Sequence, residues 1–182
     1  MRYTNWIALF SQTGSEIADL SSALNRPPDF VITNADSDQI NPAVHVDYRL
    51  NNEEAKTLDI LENLDLNIDK TLITLNGWLK IVPPDKCNTY NMYNGHPGLI
   101  TKYPELKGKD PQQRAWENIG SYSKIGSVVH EVVPEVDAGE IIIEKSVGTR
   151  NVYNLNKTYD MLRKTSFDAW YSFLKEHLYN KV

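Results

Sequence analysis

The chain contains one cysteine, Cys87, among 182 residues. No intrachain disulfide can form, which fits a reducing cytoplasm. Long apolar runs are also missing. Trp6-Ile7-Ala8-Leu9-Phe10 stops at Ser11-Gln12-Thr13, too soon for a signal peptide, and no run approaches a membrane span. Basic residues are not in excess: 19 Lys and Arg stand against 24 Asp and Glu, a net charge of -5. That balance argues against nucleic acid as the partner, yet allows a small anion held by one or two local cations. The histidines show no compact H-x-x-x-H spacing, so no metal site is expected. No G-x-S-x-G elbow is present, which removes the Ser-His-Asp hydrolases. There is no internal repeat or low-complexity tract. Cys87, in Pro83-Pro84-Asp85-Lys86-Cys87, reads as a small, partly buried turn residue rather than a catalytic thiolate.

What is present suits one folded domain over residues 1–182, with an apolar fraction of 41% and a charged fraction of 24%. Trp6–Phe10 reads as a buried strand. A helix through Ile17, Leu20 and Leu24 follows, ended by Pro27-Pro28, and Phe30–Thr33 is the next strand. Strand, helix, strand is the unit of a parallel sheet. Residues 39–47 read as loop, with a short strand near Val44-His45-Val46. Asn51 or Asn52 caps a helix through Ala55, Leu58, Leu61 and Leu64. Strands are expected at Leu72–Leu75, Thr89–Tyr93, Ser127–Val133 and Glu140–Glu144, the last two as an antiparallel pair. Gln112–Asn118 is a modest helix. Thr158–Leu178 is a long one, with Tyr159, Leu162, Phe167, Trp170, Phe173 and Leu174 toward the body. The whole is an open α/β sheet, mostly parallel, with helices on both faces. Sites in such sheets lie beyond the carboxyl ends of the strands.

The residues fit for chemistry fall there. Gly14-Ser15 opens the first helix, where backbone amides attract anions, although a turn with an N-cap explains it equally well. Glu16 would repel a phosphate set close by. Asn94-Gly95-His96-Pro97 follows a strand. An amide can hold an oxyanion, and an imidazole can give or take a proton. Asp137, in Val136-Asp137-Ala138-Gly139, is by residue type a turn aspartate. His130 reads as a half-buried strand residue whose ring satisfies a backbone group.

Three segments together resemble the folate-dependent formyltransferases, the family of glycinamide ribonucleotide transformylase. They are Asn94-Gly95-His96-Pro97 running on to Lys102-Tyr103-Pro104, Gly126-Ser127-Val128-Val129-His130, and Asp137-Ala138-Gly139 seven residues after His130. Leu75-Asn76-Gly77-Trp78-Leu79-Lys80-Ile81 is similar to the segment lining that family's folate site. The likeness runs from Trp6 to about Ile143 and implies a Rossmann-like fold.

The resemblance implies 10-formyltetrahydrofolate as formyl donor, a primary amine as acceptor and no metal. Asn94 and a protonated His96 would stabilise the oxyanion. Asp137 would keep His96 protonated and relay the amine's proton. The pterin would lie near Leu79, Lys80, Ile81, Val133 and Val136. Gly14, Ser15 and Glu16 would meet the acceptor. Ribonucleotide-acting members carry Gly-Ser-Asn where this chain has Gly14-Ser15-Glu16. Their phosphate-assisting basic residue falls in acidic or neutral Asn51-Asn52-Glu53-Glu54. The segment Glu105–Pro111 is longer than in the plain purine enzyme. These departures point to a small aminated acceptor. Glycinamide ribonucleotide itself is the alternative, and a non-catalytic folate-binding module is a third reading. A cytoplasmic location follows, and nothing indicates an oligomer.

Overall fold

In the computed structural model, which describes residues 2–178, seven strands form one sheet in the order β3-β2-β1-β4-β5-β6-β7. The strands are β1 (Asn5–Phe10), β2 (Phe30–Thr33), β3 (Tyr48–Arg49), β4 (Thr71–Leu75), β5 (Asn91–His96), β6 (Lys124–Glu131) and β7 (Ile141–Gly148). The helices are α1 (Ser15–Leu24), α2 (Asn52–Thr57), α3 (Pro84–Thr89), α4 (Pro111–Glu117) and α5 (Leu155–His177). Neighbours from β3 to β5 pair in parallel, and β6 runs antiparallel to both β5 and β7.

Strand side chains alternate between faces, so β1 feeds two cores. Trp6, Ala8 and Phe10 join Ile17 and Leu20 of α1 and Ala169, Trp170, Phe173 and Leu174 of α5. Ile7 and Leu9 join Ala55, Leu58, Leu61, Trp78 and Val82 on the other side. A third cluster, including Ile100, Leu106, Ala115, Ile125, Val128 and Leu162, packs α4 and α5 beside β6. Among the described residues no helix is long and apolar enough to cross a membrane.

Several elements differ from expectation. The short strand falls at Tyr48–Arg49, beyond Val44–Val46. The helix through Leu64 stops at Thr57, because Leu58 turns left-handed at φ 55 and a 3-10 segment follows over Asp59–Asn63. Asn51 is its cap, in a reciprocal box with Glu54. The Pro83–Cys87 turn is instead the start of α3, with Pro84 in its first turn. Thr89 therefore belongs to that helix. The first helix ends at left-handed Asn25, ahead of the two prolines. Tyr159 on α5 is 39% exposed rather than packed inward.

Lys86 of α3 is buried and pinned by three carboxylates, Asp59 at 3.3 Å, Asp85 at 3.2 Å and Glu62. Burial opposes its charge, but its hydrogen bonds to Glu62, Asp85 and Asp59 outweigh it and raise the lysine pKa. A cavity of about 410 Å³ against Lys86, Thr71 and Tyr90 lies at the amino ends of β4 and β5, away from the residues expected to do chemistry.

Candidate active site

β5 pairs with β4 on one side and β6 on the other. The register puts Asn94 opposite Leu75 on β4 and opposite His130 on β6. Side chains directly across an antiparallel pair touch. Asn94 Nδ2 accordingly lies 3.3 Å from His130 Nε2. His96, two residues on along β5, is buried at 5% exposure. The turn after β6 then brings Asp137 back. Its backbone is left-handed at φ 52, which an aspartate tolerates. Gly139 lies so close to the Glu131 carbonyl that an added Cβ would sit 1.9 Å from that oxygen, so only glycine lets the turn fold onto the end of β6.

The Asp137 carboxylate faces two imidazoles. Oδ2 is 3.5 Å from His96 Nδ1 and Oδ1 is 3.3 Å from His130 Nε2. Gly108 N–H also donates to Oδ2 at 2.8 Å. The other nitrogen of each ring meets a backbone carbonyl: His96 Nε2 donates to Leu106 O at 2.8 Å, and His130 Nδ1 to Glu131 O at 2.7 Å. A carbonyl only accepts, so each of those ring nitrogens carries its proton.

Burial raises the Asp137 carboxyl, but the His130 hydrogen bond, the His96 charge and the Gly108 amide overcome it and hold the group down at about 2. His96 goes the other way from expectation. Burial pushes its imidazole below the ordinary 6.5, with His130 and Arg114 adding to that, and Asp137 and the Leu106 carbonyl only partly offset it. Burial thus opposes the imidazolium, while the carboxylate at Nδ1 and the carbonyl at Nε2 favour it.

Sequence reasoning left His130 out of the site. Its backbone-satisfying bond is as expected, but the residue is 2% exposed and its second nitrogen faces Asn94 and Asp137. The seven-residue step from His130 to Asp137 was the available signal.

The remaining candidates fall on other segments of the chain. Leu79, Ile81 and Val136 are 68%, 73% and 58% exposed, unusual for large apolar side chains. Leu79 N–H donates to Ser11 Oγ, and Lys80 Nζ to Asn52 Oδ1. Val133 is half-buried. Lys80 also borders a hollow of about 710 Å³ beyond the carboxyl ends of β2 and β3, shared with Asn34, Arg49, Asn51 and Asn52.

At the start of α1, Gly14 is left-handed at φ 72 and Ser15 N–H is taken by Thr13 Oγ1. Asn41 Nδ2 donates to Ser15 Oγ from the 39–47 loop. Glu16 turns inward: its carboxylate accepts from Asn76 Nδ2 at 3.1 Å and Ser166 Oγ at 2.6 Å. Burial raises its pKa, against those two hydrogen bonds. Among the described residues no group of three or more His, Cys, Asp or Glu is placed to hold a metal ion.

An amide, an imidazole and a carboxylate thus gather at the carboxyl end of β5. The family model described as formyl transferase fits residues 4–172. The chain belongs to the formyl transferase family. A phosphoribosylglycinamide formyltransferase of Dictyostelium discoideum is 34% identical over 85 residues, which is 42% of this chain and 40% of that protein. The matched segment thus spans less than half of that curated relative. The fold is also that of solved formyl transferases. The phosphoribosylglycinamide formyltransferase of Streptococcus pneumoniae TIGR4 superposes with a TM-score of 0.77 at 19% identity, covering 95% of this chain and 98% of that one. A sugar N-formyltransferase from Shewanella sp FDAARGOS_354 superposes at 0.68 and 18%, covering 94% and 69%.

Proposed function

We propose that this formyl transferase family member moves the formyl group of 10-formyltetrahydrofolate onto a primary amine of a small-molecule acceptor. The observation that carries the reading is the convergence of Asn94, His96 and Asp137, from two distant segments, on one hydrogen-bonded cluster. Exposed Leu79, Ile81 and Val136 supply apolar surface for a flat pterin, with Lys80 and Val133 beside them. The hollow next to Lys80 adds polar groups for one end of a substrate.

The acceptor amine attacks the formyl carbon, and the carbonyl π electrons move onto oxygen. Asn94, set against His130, presents its amide N–H to that oxyanion. His96, whose Nε2–H rests on the Leu106 carbonyl, gives that N–H to the same oxygen once the carbonyl is displaced. A formamide carbon is a poor electrophile, so such donors and the holding of two substrates in reach supply most of the acceleration. The bond from carbon to the folate nitrogen then breaks, and that nitrogen receives the proton the amine loses. Asp137, held near 2, stays ionised and steadies the imidazoles while the proton crosses, through water, between amine and leaving nitrogen.

The start of α1 favours an acceptor without a phosphate there. Ser15 N–H is already bonded to Thr13 Oγ1. Incubation with 10-formyltetrahydrofolate and a panel of amines, read by mass for new formamides, tests the assignment. Glycinamide ribonucleotide belongs in the panel, and its rapid formylation would return the acceptor to the purine pathway. Folate binding with no formamide from any amine would make the chain a binding module.

A further inference from the structure

Residues 105–108 fill the two hydrogen-bonding positions that formyl transfer would use. Leu106 O accepts from His96 Nε2 at 2.8 Å, and Gly108 N–H donates to Asp137 Oδ2 at 2.8 Å. A formamide, O=CH–NH–R, offers the same two groups, a carbonyl oxygen and an N–H. The resting protein thus sets its own backbone against the imidazole and the carboxylate.

The segment is held at its root and loose at its tip. Leu106 is buried with Ala115, Ile125 and Val128, and Tyr122 donates to the Glu105 carboxylate at 2.7 Å. Arg114 donates to the carbonyls of Glu105, Leu106 and Lys107. Beyond them Lys107 and Lys109 are exposed, and a Cβ added at Gly108 would meet nothing within 4 Å. Lys107 at φ −61 and ψ 149, followed by Gly108 at φ 81, has the backbone of the central pair of a type II turn. Such a turn has a second form. Rotating the middle peptide gives a type I turn, whose second central residue lies at φ of about −90°. That rotation takes the Gly108 N–H off Asp137 and the Lys107 carbonyl off Arg114. The Leu106 carbonyl can turn as well while its side chain stays in the core. The residue at 108 sets the balance, because a left-handed φ suits glycine and burdens other residues.

We propose that residues 105–108 are a strap that mimics the formamide product: it covers His96 and Asp137 in the resting protein and swings off at the Lys107–Gly108 peptide to admit the formyl group. The strap competes with substrate, so the apparent affinity is the intrinsic one scaled by the open fraction. This rests on the reading that His96 and Asp137 meet the transferred group, and the experiment separates the two.

Wild type, Gly108→Ala and Gly108→Asn are titrated with 10-formyltetrahydrofolate by calorimetry, and the Gly108 amide of 15N-labelled wild type is followed by NMR. Alanine burdens the closed turn and meets no clash, so Gly108→Ala binds the donor about fivefold more tightly, and its kcat/KM in formyl transfer rises. Asparagine tolerates a left-handed φ, so Gly108→Asn lies nearer wild type. A segment that only supports the site gives the opposite sign, and equal or weaker binding in Gly108→Ala overturns the proposal. In wild type the Gly108 amide proton, shifted downfield by the carboxylate, moves upfield as donor saturates the site. An unmoved signal at saturation overturns the strap and leaves formyl transfer standing. That measurement decides alone if Gly108→Ala fails to fold. Opening of the strap with no formamide from any amine in the panel overturns formyl transfer and leaves the strap. No donor binding by any of the three proteins overturns both.

Discussion

Asn94 and His130 stand opposite each other on β5 and β6, with the amide nitrogen 3.3 Å from the imidazole Nε2. The contact orients the Asn94 amide. His130→Ala should leave Asn94 free to rotate. Formyl transfer should drop by about ten- to a hundredfold in kcat, with a smaller change in KM, because the lost interaction acts on the transition state. Steady-state kinetics on the acceptor found by the amine panel check this.

Asp137 supplies a pH dependence with a definite sign. Its carboxyl is held near 2 in the folded protein against an ordinary 3.8. A depressed acid stabilises fully above its unfolded value and loses that contribution as pH falls through the folded one. Asp137→Asn should therefore cost about 2 kcal/mol near neutral pH. The gap from wild type should close between pH 3.8 and about 2. Urea unfolding at stepped pH measures it. His96, lowered by burial, acts in the same direction: its contribution is present above 6.5 and fades on acidification below that value.

Gly95 lies under Trp170. An added Cβ would stand 2.3 Å from the indole Nε1 and 2.9 Å from Cε2. Trp170 is fully buried and cannot yield easily. Gly95→Ala should cost about 2–3 kcal/mol and displace Asn94 and His96 on either side of it. The double variant with Trp170→Phe should recover part of the loss, so that the two effects are not additive. Thermal unfolding of the four proteins of the cycle tests this.

Glu16 gives a stability trend opposite to that of Asp137. Burial raises its pKa above 4.5, so its ionisation is unfavourable in the folded state. A raised acid contributes most below its unfolded value and loses that contribution as pH rises through the folded one. Glu16→Gln keeps the shape and cannot ionise. It should gain on wild type as pH rises from 4.5 toward neutrality, seen in urea titrations at the two ends.

Local chemistry made much of the site legible. Asn94 and His96 stand out because glycines and a proline frame them at a strand end. Asp137 could not be told from a turn aspartate by its own neighbours. Its weight came from its seven-residue step after His130 and the family likeness. Leu58 shows a limit of periodicity. The apolar spacing from Ala55 to Leu64 is helical, and all three of Ala55, Leu58 and Leu61 are buried, yet the chain turns left-handed at Leu58. Burying a residue fixes which way it faces, and more than one backbone path satisfies that.

The sequence by itself determined the alternation of buried strands and helices, the parallel start of the sheet, and an amide–imidazole pair at a strand end. Those follow from apolar periodicity and from glycine and proline, which act within a few residues. Tertiary structure decided the rest. The antiparallel register of β5 and β6 put His130 against Asn94, the folded turn put Asp137 between two imidazoles, and burial pushed the His96 imidazole below its ordinary value. Register and burial depend on segments far apart in the chain. A histidine's proton is set by the acceptors and the desolvation it meets there, and no local pattern states either.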